Sequence, residues 1–129
     1  SKGIHLEFNS RALYPAGGAD ILPKSKAMLN RIAARINALG EVKMTVTVEG
    51  HTDDTPIKTE RYPSNWELST ARATNIVRHF VERKVDPKML RAAGYADMQP
   101  KVPNLDAEGK GLPVNRAKNR RVVIKMERY

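Results

Sequence analysis

The sequence predicts an α/β fold, a two-layer sandwich in which helices pack on one face of a mixed sheet of about four strands. Apolar and polar residues alternate, as in half-buried strands, in three segments: residues 4–8, 43–49 and 121–128. Apolar residues recur at helical spacing in two others: residues 28–39 and 66–81. With one more strand at residues 90–95, the order is β-α-β-α-β-β. A length of 129 residues fits a single domain over residues 1–129.

The first strand and the first helix are separated by a loop. Residues 4–8 form the strand, and the proline and two glycines within residues 9–20 predict the loop. Pro23 lies in the first helical turn, where its missing N–H costs nothing, and Gly40 is the expected stop. The apolar stripe of this helix is assigned to the core and consists of Met28, Leu29, Ile32, Ala33, Ile36 and Leu39.

The second strand ends near Asp53, and the next helix has a recognisable start. Ser64 is a favourable N-cap, and Glu67 three residues later completes a capping box. Arg72 lies in the third turn, so its guanidinium and the Asp53 carboxylate can face one crevice. Ligands of open α/β sheets bind at such a place. The apolar positions of this helix are Trp66, Ala73, Ile76, Val77, Phe80 and Val81.

The C-terminal third alternates between short elements and loops. The second helix is expected to end near residues 83–84, and a turn follows at Asp86 and Pro87. Residues 97–114 are rich in proline, glycine and polar residues and predict a long loop. The last strand, residues 121–128, closes the sheet.

The charge of the chain favours a polyanionic partner. The formal net charge is +9, and residues 110–129 contain seven basic residues against one acidic residue. Nucleic acid, an anionic membrane surface and an acidic wall polymer all fit, and so does a solvated basic face. The chain contains no cysteine, which excludes disulfides and thiolate metal sites. No apolar run approaches the roughly 20 residues of a membrane span, and the abrupt start at Ser1 predicts a fragment of a longer, membrane-anchored protein.

Three motifs resemble one known family. They are Gly-His-Thr-Asp at residues 50–53, Asn-x-x-Leu-Ser-x-x-Arg-Ala at residues 65–73 and Asn-Arg-Arg-Val at residues 119–122. Together they resemble the OmpA C-terminal-like, peptidoglycan-associating domains, over residues 4–126. Thr-Asp-Asp-x-Pro at residues 52–56 and Ser-Asn-Trp-Glu-Leu-Ser at residues 64–69 are similar to the flagellar stator subunits MotB and PomB.

The resemblance implies a non-enzymatic domain that binds peptidoglycan without a cofactor and anchors a stator to the cell wall. The expected ligand is a stem peptide containing diaminopimelate, whose side chain ends in an ammonium and a carboxylate on one carbon. Asp53 and Arg72 match the two diaminopimelate-binding positions of the family. Arginine suits the carboxylate because its planar fork donates two parallel hydrogen bonds. Thr52 and Asn65 are expected to add hydrogen bonds from the two rims.

Two points remain open in the site. Strand alternation should send Arg120 and Arg121 to opposite faces, so that only one reaches the crevice. The sequence does not decide between them, and Arg121 is taken as the binding residue. A structural alternative also stands, in which Asp53 and Arg72 form a salt bridge or Asp53 only caps a turn, as Asn65 could complete the helix start.

The resemblance also implies partners and a location. They are a homodimer, a membrane-embedded MotA/PomA-like subunit reached through a missing N-terminal segment, and a periplasmic domain tethered to the inner membrane. An OmpA/Pal-like envelope anchor without a motor is the main alternative. An upstream transmembrane helix that contains an aspartate would favour the stator.

Other functions are less favoured by the residues. A nucleic-acid-binding module lacks a row of aromatic residues on which bases could stack. A metal site is disfavoured because His5 and His79 lack a ligand-like spacing to His51. An enzyme with paired carboxylates is disfavoured because Asp53 and Asp54, adjacent on extended backbone, should point apart.

Overall fold

The structure is a computed structural model and describes residues 3–129, so the first two residues of the predicted domain lie outside the described range. Its strands are β1 (Gly3–Asn9), β2 (Met44–His51), β3 (Leu90–Gly94) and β4 (Arg121–Arg128). Its helices are α1 (Ser10–Leu13), α2 (Pro23–Ala38), α3 (Asn65–Glu82) and α4 (Pro113–Asn119), with a 3-10 turn at Pro87–Met89. The predicted strands and both long helices are confirmed. Helix α1 falls in a predicted loop, whereas α4 begins at the end of one and runs through residues for which no element was predicted.

The four strands of the described chain form one mixed sheet in the order β1-β4-β2-β3. Strand β4 is antiparallel to both β1 and β2, and β2 and β3 are parallel. Parallel β2 and β3 are connected through α3, as a crossover requires. The carboxyl ends of β2 and β3 therefore meet at the edge where α3 begins.

Helices α2 and α3 cover one face of this sheet, and the core lies between the two layers. Its fully buried side chains include Leu29 of α2, Phe80 and Ile76 of α3, and Val46 and Ile124 of the sheet. Burial of each such side chain stabilises the fold by about 1.5–3 kcal/mol. Every helix within residues 3–129 is too short or too polar to cross a membrane.

The apolar stripe of α3 is narrower than the sequence suggests. Ala73, Ile76 and Phe80 are buried against the sheet, but Trp66 and Val81 are exposed. Both were counted with the stripe because their spacing is helical. Spacing alone does not show where the edge of a packed face lies, and these two residues lie beyond it.

The boundaries of the long helices follow the predicted capping residues. Gly40 adopts a φ of 69°, the left-handed conformation that ends a helix and favours glycine. At the start of α3, the Ser64 hydroxyl oxygen accepts a hydrogen bond of 3.2 Å from the Trp66 backbone N–H. The same hydroxyl donates to the Glu67 carboxylate, and this hydrogen bond lowers the pKa of Glu67.

Loss of this cap should reduce stability without unfolding the domain. The substitution Ser64→Ala removes the acceptor of the Trp66 N–H, and we expect a loss of about 1 kcal/mol in the free energy of unfolding. Urea titration measures it. Ser64→Thr, which retains a capping hydroxyl, is the matched control and should lose much less. Equal stability of the alanine variant and the wild type would contradict the assigned helix start.

Two glycines allow α3 to lie directly on the sheet. Gly50 of β2 and Gly94 of β3 are register partners and lie side by side. A Cβ at Gly50 would lie 2.3 Å from the Ser69 carbonyl oxygen, and a Cβ at Gly94 would lie 2.5 Å from the Thr70 backbone nitrogen. Only glycine permits this approach, so the pair sets the height of α3 above the end of β2.

A candidate ligand-binding groove

A groove of about 280 Å³ opens at the carboxyl end of β2, beside the first turns of α3. Its polar lining includes Thr52, Asp53, Asn65, Arg72 and Arg120. Four of these residues were selected from the sequence, and the structure brings all four to one place. The fifth, Arg120, was not selected.

Asp53 follows β2 directly and is held at both carboxylate oxygens. Its Oδ1 accepts a hydrogen bond of 2.8 Å from the Thr55 backbone N–H, and its Oδ2 accepts one of 2.5 Å from Arg120 Nη1. Only 6% of the residue is exposed. Asp53 therefore does cap a turn, as the structural alternative proposed, and it also faces the groove. Each oxygen has a second lone pair with which to accept a further hydrogen bond.

Arg72 projects from the third turn of α3 and is as buried as Asp53, with 6% exposed. Its Nε donates to the Gly18 carbonyl at 2.7 Å, and its Nη2 lies 3.4 Å from the Pro15 carbonyl. The guanidinium carbon lies 5.1 Å from the centre of the Tyr14 ring, in a cation–π contact. Burial lowers the pKa of Arg72. These contacts fix the guanidinium against the loop between α1 and α2.

Arg72 and Asp53 form no ion pair with each other among the described residues. The structural alternative of a salt bridge between them is therefore wrong. Within residues 3–129, Nη1 of Arg72 makes no hydrogen bond. Arg72 itself lines the groove.

Arg120, not Arg121, reaches the groove, and this corrects the choice made from the sequence. Arg120 is the C-cap residue of α4 and donates to Asp53. Arg121 is the first residue of β4 and points away, where its guanidinium donates to the backbone carbonyls of Asn119 and Gln99 at 3.2 and 3.1 Å. The two arginines do diverge as expected, but the break between helix and strand decides which one faces the groove.

Helix α4 adds a second ion pair at the rim. Arg116 precedes Arg120 by one helical turn, and its Nε and Nη2 lie 2.7 and 3.4 Å from the two carboxylate oxygens of Asp54. The hydrogen bond to Asp54 raises the pKa of Arg116. Adjacent Asp53 and Asp54 are thus each bound by one arginine of the same short helix. The four-residue spacing of these arginines was the available signal, but no helix was predicted for this segment.

Thr52 and Asn65 mainly shape the groove. The Thr52 backbone N–H donates to the Ala96 carbonyl at 2.9 Å, and its hydroxyl donates to the Asp53 carbonyl at 2.8 Å. The Asn65 side-chain amide donates to the Thr55 carbonyl at 3.0 Å and ties the loop to the first turn of α3. Both residues line the groove. The Thr52 donors are used within the protein, whereas Asn65 Nδ2 uses one of its two N–H groups there.

The groove is thus lined by one carboxylate and two guanidiniums. Asp53 provides the anion, and Arg72 and Arg120 provide the cations. Such an arrangement can bind a ligand that carries an ammonium and a carboxylate close together, because the groove offers a charge opposite to each of them.

The OmpA family model matches residues 13–120, which include the whole groove. The chain belongs to the OmpA family. Motility protein B of Bacillus subtilis is 33% identical over 96% of this chain and 45% of its own length. The periplasmic domain of Helicobacter pylori MotB is 31% identical, with a TM-score of 0.82 over 98% of this chain and 76% of that chain. The cell wall anchor of the T6SS from Pseudomonas aeruginosa is 35% identical, with a TM-score of 0.81 over 98% of this chain and 82% of that chain.

This OmpA-family domain spans about half the length of the curated relatives it matches. The resemblance stated from the three sequence motifs is confirmed, as is the fold. The similarity to MotB extends over nearly the whole chain and is not confined to the motifs from which it was first inferred.

The histidine of the Gly-His-Thr-Asp motif lies outside the groove of this OmpA-family domain. His51 is buried on the sheet face opposite the helices, with its Nε2 at 3.1 Å from Glu49 Oε1. Its ring stacks on Tyr95 at a centroid distance of 5.2 Å, and burial lowers its pKa. Lys125 Nζ lies 2.9 Å from the other Glu49 oxygen. His51 therefore packs the end of β2, and Asp53, not His51, lines the groove.

Proposed function

We propose that this domain binds peptidoglycan in the groove and thereby anchors a flagellar stator to the cell wall. The observation that supports it best is the convergence of Asp53, Arg72 and Arg120 on one groove. An uncharged polar groove would accept many ligands. A carboxylate flanked by two guanidiniums favours a ligand with an ammonium and a carboxylate in the same small group.

The end of the diaminopimelate side chain is such a group. Its ammonium can donate to the free lone pairs of Asp53, and its carboxylate can accept from Nη1 of Arg72 and from Arg120. In the structure Arg120 donates to Asp53, so the ligand ammonium would take a share of that carboxylate while Arg120 turns toward the ligand carboxylate. Each charge-assisted hydrogen bond contributes about 1.5–3 kcal/mol.

The wider assembly rests on the similarity to MotB. We infer a periplasmic domain, tethered to the inner membrane by an N-terminal segment, that acts as a homodimer with a MotA/PomA-like membrane subunit. The relatives at 33% and 31% identity support this assignment. A soluble fragment of the wall should bind with a Kd on the order of tens of micromolar to millimolar. The wall repeats its stem peptide, so several domains of one assembly can bind at once, and the high effective concentration raises the overall affinity.

A second candidate is a wall anchor for another envelope machine. The similarity to the cell wall anchor of the T6SS supports it, since its identity of 35% is no lower than that of the MotB structure. The groove chemistry would be the same in both cases. The sequence of the segment that precedes this domain in the full protein would distinguish them.

Competition for insoluble peptidoglycan tests the proposed ligand. A soluble tripeptide that ends in meso-diaminopimelate should release the bound domain, because it offers both charges. The matched tripeptide that ends in lysine lacks the side-chain carboxylate and should compete at least tenfold less well, about 1.4 kcal/mol. Co-sedimentation measures the bound fraction.

The same experiment can reject the proposal. Equal competition by the two tripeptides would show that the groove does not recognise the ammonium and carboxylate of diaminopimelate together. A fall in binding of about a thousandfold between roughly 50 and 200 mM salt would instead favour the polyanion binding expected of a nucleic-acid-binding module.

A further inference from the structure

We propose that His51 is a positioning residue of the groove: its uncharged imidazole holds the end of β2 in place, and uptake of a proton weakens wall binding. This inference rests on the proposed function, since wall binding is the activity that the proton controls. His51 belongs to the Gly-His-Thr-Asp motif, and only 3% of the residue is exposed. Histidine changes its charge near neutral pH, so a buried histidine links protonation to local structure.

The contacts of the imidazole decide which nitrogen carries its hydrogen. Nε2 lies 3.1 Å from Glu49 Oε1, and since a carboxylate only accepts, Nε2 is the donor. Burial raises the pKa of Glu49, but the hydrogen bonds from Lys125 and His51 outweigh it and lower that pKa. Glu49 therefore stays ionised in mild acid. Nδ1 is buried, and no group within residues 3–129 forms a hydrogen bond with it.

A second proton would have to bind at Nδ1, where the surroundings oppose it. The new N–H would be a buried donor without an acceptor. Glu49 is already shared, because Lys125 Nζ lies 2.9 Å from its Oε2. Burial lowers the pKa of His51; the contact with Glu49 opposes this shift, and the charges of Arg121 and Lys125 add to it. The site thus favours the uncharged imidazole.

The neighbours of His51 are fixed on the sheet face that bears it. Tyr95, which directly follows β3, stacks on the imidazole. Arg121 of β4 is the register partner of His51. It donates to two backbone carbonyls, and its Nε lies 3.7 Å from Glu7 Oε1 of β1. A proton on His51 would therefore place two cations opposite each other on paired strands, which destabilises the pairing.

This strand pair lies directly beside the ion pair of the groove. Asp53 follows His51 by two residues, and Arg120 precedes Arg121 by one. Arg120 donates to the Asp53 carboxylate, so the two sides of that ion pair continue from the two paired strands. Repulsion between His51 and Arg121 would separate the strand ends and move Asp53 away from Arg120.

Wall binding should therefore weaken in mild acid. Because the pKa of His51 is lowered in the folded domain, the intact strand end is disfavoured below about pH 6.5, the ordinary value for histidine, and not above it. We expect the wild type to lose about three- to tenfold in affinity for insoluble peptidoglycan between pH 7.5 and 5.5. Tenfold is about the limit for one group at one pH unit below its ordinary pKa. Co-sedimentation at a series of pH values measures the loss.

His51→Gln tests the role of the proton. The glutamine amide can donate to Glu49 but takes up no proton, so this variant should bind within about twofold of the wild type at pH 7.5 and keep that affinity at pH 5.5. His79→Gln is the matched control. Burial lowers the pKa of His79 as well, but His79 contacts Asn30 of α2 and does not line the groove. This control should lose affinity in acid as the wild type does.

Two measurements keep the inference testable if His51→Gln fails to fold. The chain has three histidines, so pH dependence that is retained in both His5→Gln and His79→Gln identifies His51 by elimination. Amide exchange reports on the strand end itself. The Thr52 N–H donates to the Ala96 carbonyl at 2.9 Å, and after correction for the intrinsic rate its exchange should accelerate between pH 7.5 and 5.5.

The outcomes separate this inference from the proposed function. Equal losses in the wild type and in His51→Gln, or no loss in the wild type, overturn the role of His51. The proposed function stands in that case if Asp53→Asn is deficient at pH 7.5. If the wild type does not bind the wall at pH 7.5, the proposed function is wrong. Thr52 exchange then decides alone: acceleration in acid supports the hold of His51 on β2, and a constant rate overturns it.

Discussion

The substitution Asp53→Asn should weaken binding to insoluble peptidoglycan by about 10- to 100-fold, the equivalent of one charge-assisted hydrogen bond. Asparagine can still accept the hydrogen bond from Thr55, so the turn after β2 survives. Its amide nitrogen faces Arg120, however, and replaces an acceptor by a donor. The groove then has two guanidiniums and no anion to receive an ammonium. Co-sedimentation over a range of wall concentrations measures the loss.

Asp54→Asn provides the matched control. It makes the same chemical change one residue away and also removes a carboxylate from an arginine, here Arg116. Asp54 does not line the groove, so wall binding should stay within about twofold of the wild type. Wild-type binding by a folded Asp53→Asn variant would place the site elsewhere.

Arg72→Ala is a less suitable test than the sequence suggests. The sequence predicts that this variant stays folded because Arg72 lies outside the apolar stripes. The structure shows Arg72 bound to the Gly18 carbonyl and stacked on Tyr14. Its removal would release the loop between α1 and α2, and a loss of binding could not be assigned to the groove alone.

The substitution Gly50→Ala should cost about 3 kcal/mol or more in the free energy of unfolding, the upper end of the range for overpacking. The new methyl group would meet the Ser69 carbonyl oxygen at 2.3 Å, and backbone cannot turn aside as a flexible side chain can. Helix α3 must then rise from the sheet and move Arg72 away from Asp53. Urea unfolding measures the loss, and co-sedimentation of the folded fraction should show weaker wall binding.

Gly40→Ala separates this steric effect from backbone strain. Gly40 has a φ of 69°, but a Cβ there would have no atom within 4 Å. We expect a loss of about 1–2 kcal/mol from the left-handed conformation alone. If Gly50→Ala were no more destabilising than Gly40→Ala, the close approach of α3 to β2 would not be the constraint described here.

The sequence predicts the elements whose residues face one continuous core. Strand β4 was predicted with its observed bounds because Val122, Ile124 and Met126 recur at every second position and share one face. The start of α3 was predicted because Ser64 and Glu67 have a local role in the helix cap. The pair Asp53 and Arg72 was found through its motif, and the topology places both beside the end of β2.

The missed features depend on contacts between distant segments. Helix α4 has little apolar periodicity, since its inner side offers arginines to Asp53 and Asp54 rather than a stripe to the core. To choose between Arg120 and Arg121, one must know that α4 ends at Asn119 and that β4 begins at Arg121. The sequence pattern does not show this boundary. The role of Gly94, which is to admit the backbone of α3, depends on the packing of the helix on the sheet and has no local signal in the sequence.

The position of β4 in the sheet has a consequence for folding kinetics. This last strand of the chain is the one that joins β1 to β2, and it pairs Ile4 with Met126. Contacts between residues so far apart in sequence give a high contact order, and loop-closure entropy must be overcome before they form. During synthesis β2 therefore has an unsatisfied edge until residues 121–128 emerge, which is a state prone to aggregation. Because Arg120 directly precedes β4, the groove itself forms only after Arg120 has been added to the growing chain.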